Sequence, residues 1–537
     1  MKSKFGGLIV LAVLIFSIIL TGCSPSNPGD KKGKGAESNK DELVLAVGAE
    51  PEAGFDPTTG WGRYGSPLFQ STLLKMDNEL TIINDLATGY EVTGDGKVWI
   101  VNLRDDVKFS DGEPLTAADV QFTFETAANN GAVVDLNIIE KVEVMDEHKV
   151  KFTLKKVQST FVNTLVATGI VPKHAYGEDY SENPVGSGPY ELVQWDKGQQ
   201  LIVTANPEYY DTKSYFKKLT FLFLSEDAAF AAAKAGKVDI AYIPAAFSNE
   251  EVPGMRLEAV STVDNRGIAF PYGKSGDSTS DGFPIGNDVT ADPAIRHAIN
   301  IAVDRQGLVD GVLEGHGTPA HTSVDGLPWW NPDTVIEDAD LEGARKLLKD
   351  AGWEDTDGDG ILEKGALKAE FNLYYVSDDG IRQSLSIAVA DMMKPLGINI
   401  EVEGASWDII EKNMFSNAVM MGKGSHNPHE MYVIYSSENA GIGFNNTGYY
   451  QNETVEDYFK KALHAANETE ANEFWQKAQW DGTTGLSARG DAPWAWLVNI
   501  DHLYLVQDGI DIGKQRTHVH GHGWPVTDNI MEWNRNK

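Results

Sequence analysis

Cysteine is almost absent from this chain. Its 537 residues hold one, Cys23. A single thiol can form no internal disulfide, so the fold must be held by its apolar cores. No cysteine is left in the body of the protein to act as a nucleophile. Long apolar runs are scarce too. The one such run, residues 8–20, is shorter than the ~20 residues needed to cross a bilayer. Basic charge is the third scarcity. The 45 Lys and Arg stand against 79 Asp and Glu, a formal net charge of −34. A field of that sign repels nucleic acid and anionic lipid headgroups, so nucleic acid is not an expected partner.

What is present starts with order at the N-terminus. Lys2 and Lys4 precede the apolar run, and Leu20-Thr21-Gly22-Cys23 closes it. That is the layout of a secretory signal peptide over residues 1–22, with cleavage before the cysteine. The tetrapeptide resembles the lipobox of bacterial lipoproteins. The resemblance implies that Cys23 becomes the lipidated mature N-terminus, anchoring an extracytoplasmic protein to the cell membrane. Residues 23–41 are rich in Gly, Pro, Ser and charge without apolar periodicity, which suits a flexible tether. The whole chain is 42% hydrophobic and 10% aromatic, a globular composition, and the part after Cys23 is long enough for two to three domains.

Strand-like and helix-like segments alternate. Leu43 to Val47, Val98 to Leu103 and Lys149 to Leu154 carry strand patterns. Thr116 opens a helix with Asp119 three places on, Pro293 stands in the first turn of another, and Leu341 to Ala351 is amphipathic and stops at Gly352. The mixture predicts an α/β fold with several sheets.

Four segments then occur in order: Leu103 to Val120, containing Phe109-Ser110-Asp111-Gly112-Glu113-Pro114; Pro184 to Leu192 with Asn206-Pro207-Glu208-Tyr209-Tyr210; Pro293 to Arg305; and Ala344 to Trp353. Together they resemble the extracytoplasmic solute-binding proteins of the peptide/nickel class, family 5 of ABC importers. The resemblance implies a two-lobed periplasmic-binding-protein fold with an extra domain inserted in the first lobe. The expected division is residues 42–80, 183–285 and 505–537 for lobe I, 81–182 for the insertion, and 286–504 for lobe II. It also implies binding without turnover, no catalytic cofactor, a monomer, and an ABC permease with its ATPase as partners.

Peptide binders of that family carry an Asp in a segment here replaced by Gly422-Lys423-Gly424-Ser425-His426-Asn427-Pro428-His429. The Asp is missing and two histidines are present, which resembles the nickel and metal-chelate members instead. The ligand expected is therefore nickel as a small chelate such as nickel–histidine. The alternative is an oligopeptide. His518, His520 and His522 recur at period two and would share one face of an extended segment. Imidazole suits Ni, Cu and Zn, and His520 or His522 is the favoured ligand. His426 and His429, three apart, share a face if helical. Arg382 offers a planar fork to the carboxylates of a metallophore. Trp61, Arg63 and Tyr64 stand in a loop of the kind that faces the ligand in this family, with Trp407 as a further contact; packing is the competing reading for both tryptophans. Asp355, Asp357 and Asp359 match the first half of a calcium loop, but the glutamate required at position twelve is replaced by Ala366 while Glu363 stands at nine. A plain tight turn is the preferred reading there. His429-Glu430 begins like a zinc-protease helix but lacks the second histidine, so an enzyme is not expected.

Overall fold

The computed structural model describes residues 41–130, 136–521 and 523–535. Cys23, the signal segment, most of the tether and His522 lie outside the described residues. Three sheets carry the architecture. The first has seven strands in the order Met255–Val260, His502–Gln507, Ile240–Ile243, Glu42–Ala46, Lys218–Leu222, Gln200–Ala205 and Tyr190–Asp196. Glu42–Ala46 runs parallel to both of its neighbours and is buried on both faces, as an apolar strand of that kind must be. Leu43 and Leu45 enter one core while Val44 and Ala46 enter another, the period-two alternation of a strand.

The second sheet has six strands: Gly317–Pro319, Trp494–Ile500, Asn265–Ala269, Ala418–Lys423, Glu370–Val376 and Asn399–Ala405. It too is covered on both faces. Ile268, Leu373 and Met420 join one core, and Ala269, Tyr374, Val419 and Met421 the other. The third, antiparallel sheet is drawn wholly from Ala87–Thr93, Val98–Leu103, Lys149–Leu154 and Ile139–Asp146, with the helix Ala117–Asn130 packed on it.

Helix ends follow the local chemistry read from sequence. Asp119 Oδ2 accepts from Thr116 N and Oγ1, each at 2.9 Å, and Asp292 caps Pro293–Ala302 through Ala294 N at 2.9 Å. Gly186 and Gly188 pass so close to the backbone of Leu68 and Phe69 that a Cβ on either would collide with a carbonyl.

Two strand-to-strand passages join the first sheet to the second. One is residues 261–264, between Met255–Val260 and Asn265–Ala269; the other is Asp501, between Trp494–Ile500 and His502–Gln507. The chain thus changes sheet at these positions, whereas the lobe divisions expected from sequence stood at 285/286 and 504/505. Asn265–Ala269 pairs with Ala418–Lys423 and Trp494–Ile500, inside the second sheet, while His502–Gln507 pairs from its first residue with the first sheet. The interruptions are polar residues in apolar runs, where one sheet ends and another begins. A third segment crosses beside them. His518 N donates to Ser261 O at 2.9 Å, Val263 N to His518 O at 2.9 Å, and His520 N to Gly424 O at 2.9 Å. The C-terminal segment is thereby held at the junction of the two sheets.

Candidate functional site

A cavity of about 1870 Å³ opens at this junction. Its floor comes from four places in the sequence: the loop around Arg63 and Tyr64, the end of strand Ala418–Lys423 with the loop up to Glu430, Arg382 with Trp407, and Arg516 to His520. The parallel strands Ala418–Lys423, Glu370–Val376 and Asn399–Ala405 deliver the second and third of these.

His520 lines the cavity, and its position is built from behind. Its Nδ1 hydrogen-bonds Asp264 Oδ1, which also takes an ion pair from the Arg266 guanidinium. Asp264 Oδ2 reaches His502 Nε2 at 3.4 Å, and His502 Nδ1 lies 3.1 Å from His518 Nδ1. Burial would raise the Asp264 carboxyl, but the Arg266 charge and the two imidazoles hold it well below the usual carboxylate range. Burial pushes the His520 imidazole down against the pull of Asp264, which favours the neutral form that can ligate a metal. Gly422 is required beside it. A Cβ there would stand 2.6 Å from an Arg266 nitrogen and 2.9 Å from His520 Cε1.

The other expected histidines divide. His518 does not line the cavity; it is 1% exposed, with Nε2 3.3 Å from Gln515 Oε1. Its role is to complete the buried chain of imidazoles. His426 lines the cavity, and burial together with Arg516 pushes it down to about 3. Its Nε2 is buried without a hydrogen-bond partner. His429 also lines the cavity, its ring 5.2 Å from that of Tyr432. The helix that would have put these two on one face starts only at His429, so His426 belongs to the preceding loop. Asn427-Pro428 interrupts a helix at that point.

Arg63, Tyr64, Arg382 and Trp407 all line the cavity. The Arg63 guanidinium lies 4.7 Å over the Tyr64 ring, and the Tyr64 ring centroid is 6.5 Å from that of His520. Arg382 pairs with Asp379 at 3.0 Å and faces the Trp407 ring at 5.6 Å. Burial, then the Arg266 charge, pulls it down to about 10. Trp61 is corrected. Its ring packs edge-on against Phe55 at 4.9 Å and Trp524 at 5.3 Å, and its Nε1 donates to Pro67 O at 2.6 Å. It supports the Arg63 loop from the core side.

Four residues of the site were not singled out as contacts from the sequence: Asp264, Arg266, Lys423 and Glu430. Arg266, Lys423 and Glu430 are charges inside or closing an apolar strand or helix, and Asp264 stands just before such a strand, the one local signal that could have singled them out. Glu430 is raised by burial despite the nearby Lys423. Its Oε1 accepts from Gly424 N at 3.4 Å, and its Oε2 is buried with no hydrogen-bond partner. The floor thus offers an imidazole, guanidinium forks for carboxylates, and a carboxylate for a cationic or donor group. Among the described residues, no three His, Cys, Asp or Glu side chains converge in the cavity closely enough to hold a bare ion.

The family model of bacterial extracellular solute-binding proteins, family 5, matches residues 81–444. Protein XP55 of Streptomyces lividans is 33% identical over 516 residues, 93% of this chain and 91% of that protein. The oligopeptide-binding protein AppA of Bacillus subtilis is 27% identical, covering 86% of this chain and 88% of its own. Among solved structures, NikZ from Campylobacter jejuni in complex with Ni(L-His) superposes with a TM-score of 0.77 at 26% identity, over 92% of this chain and all of that one.

Proposed function

Because the chain belongs to the family 5 bacterial extracellular solute-binding proteins, a two-lobed fold whose members work with ABC transporters, we propose that it captures nickel as a small chelate such as nickel–histidine between its lobes and passes it to an ABC importer. The observation that carries this reading is His520 on the cavity wall with its Nδ1 fixed by Asp264. A carboxylate behind a ligating histidine orients the ring and raises its basicity. One imidazole leaves most coordination positions to the chelator, and Arg63 and Arg382 supply forks for that chelator's carboxylates. A ligand that contacts both lobes only when they close shifts the open–closed equilibrium toward closure. The lipid on Cys23 would keep the protein beside its permease.

An oligopeptide is the second reading. The cavity volume exceeds the ~300–1,000 Å³ of most small-molecule sites, and the orphan Glu430 oxygen suits a peptide's amino terminus. Calorimetry of the full chain with NiCl2, with NiCl2 plus excess histidine, and with a mixed peptide pool separates the two. One-to-one nickel–histidine binding that falls at least about tenfold in His520→Ala, but less in His518→Ala, is the expected result. Binding of peptide alone would refute the nickel reading.

A further inference from the structure

We propose that residues 355–363 form a calcium site in the second lobe, apart from the cleft. Counted along the chain, position twelve of this loop is Ala366, which argued for a plain turn. In the fold the fourth carboxylate arrives from position nine. Glu363 N and O exchange hydrogen bonds with Glu354 at 2.8 and 3.0 Å, which pinches the loop shut at its base. Asp355, Asp357, Asp359 and Glu363 then bring one carboxylate oxygen each within 4.8 Å of one another. Gly358 and Gly360 make the turn at φ of +82° and +90°.

The carboxylates divide their oxygens between loop and centre. Asp357 Oδ1 accepts from Asp359 N at 3.0 Å, Asp359 Oδ1 from Ile361 N at 2.9 Å, and Glu363 Oε2 from Thr356 N and Oγ1 at 2.8 and 2.7 Å. Asp355 is spent on Gly358 N and Gly360 N. Asp357 Oδ2, Asp359 Oδ2 and Glu363 Oε1 accept none of these loop hydrogen bonds, and all three lie within 3.7 Å of the Lys368 ammonium. The decisive atom is Glu363 Oε1. It is buried in a residue 8% exposed, and it accepts no hydrogen bond. A buried carboxylate oxygen that accepts no hydrogen bond and has only the Lys368 ammonium 3.7 Å away suits a cation.

The Lys368 ammonium marks the place. It hydrogen-bonds Asp359 Oδ2, reaches Asp357 Oδ2 at 3.4 Å, and stays 3.7 Å from Glu363 Oε1, beyond hydrogen-bond length. One ammonium against four carboxylates leaves the cluster strongly negative. All-oxygen donors in a flexible acidic loop select a hard cation of six to eight ligands, which is calcium and not nickel or zinc; water and loop carbonyls complete the shell. The bound ion would brace the hairpin against the second lobe, because Lys364 in that hairpin pairs at 2.6 Å with Asp292, the cap of Pro293–Ala302. None of the four acids lines the cleft cavity, so the site stands or falls independently of the nickel reading.

The test is calorimetry of CaCl2 into the full chain stripped by chelator, with MgCl2 in parallel. The expected result is one calcium per chain with a Kd on the order of 10⁻⁴ M, and weaker magnesium binding. Asp357→Asn with Asp359→Asn should lose at least about tenfold in affinity. Lys368→Met, which removes the competing ammonium, should bind more tightly than the parent. No calcium binding by the parent chain would overturn the proposal. So would binding unchanged in the double variant, or weakened in Lys368→Met.

Discussion

Asp264 is the residue on which the site turns. It sits at the end of a passage between the sheets, 2% exposed, and answers Arg266, His502 and His520 at once. Removing one member of a buried charge network leaves the others uncompensated, a cost of roughly 3–5 kcal/mol. Asp264→Asn keeps the shape and loses the charge. Its stability in urea denaturation is expected to fall by about that amount, and a loss under about 1 kcal/mol would mean that Arg266 finds another partner. The same residue shows what sequence can and cannot disclose. His518, His520 and His522 were legible as a set at period two, with His520 or His522 favoured, because extended backbone fixes which side chains share a face. Which of them meets the cavity was not, because that depends on Asp264, Arg266 and His502, more than 230 positions from one end of the network to the other in the chain. Trp61 was ambiguous in the sequence for a related reason. An aromatic in a loop looks the same from sequence whether its ring turns to the ligand or, as here, to Phe55 and Trp524.

At the scale of elements, local chemistry was readable and pairing was not. The helix starts at Thr116 and Asp292 and the stop at Gly352 are settled within a few residues by caps and a positive φ. The strands Val98–Leu103 and Lys149–Leu154 were visible from alternation alone. The passages at 261–264 and Asp501 were not, because nothing in a strand's own pattern says which sheet it joins. Asn265–Ala269 follows Met255–Val260 after four residues yet belongs to the other sheet. The third sheet's segment reaches across as well: Ser159 N and Oγ each bond, at 2.8 Å, to Leu463 O and Ala462 O at the end of helix Glu453–His464.

Across the whole molecule, the buried histidines carry a pH dependence with a definite sign. Burial pushes His426 down to about 3 and His321 to about 4, and lowers His297, His518 and His520 as well. Each is neutral when folded, whereas an unfolded histidine takes a proton near pH 6.5. Their contribution to stability is therefore complete above about pH 6.5 and is lost as pH falls toward 4 and below. Buried carboxyls run the other way: burial raises Asp325 to about 6 and lifts Asp85, Glu226, Asp239, Glu430, Asp501 and Asp528 as well. The histidine contribution is therefore read by substitution: in scanning calorimetry His426→Gln should lose less Tm between pH 7 and pH 5 than its parent. Equal changes in the two chains would contradict the buried neutral state of the His426 ring.

The central claim is that the cleft holds nickel through His520. Anomalous diffraction at the nickel edge, on crystals grown with nickel and histidine, tests it most directly. The account predicts one strong peak in the cleft about 2.1 Å from His520 Nε2, with chelator density between it and Arg63 or Arg382. A nickel peak elsewhere in the molecule, or peptide density filling a cleft without nickel, would contradict it.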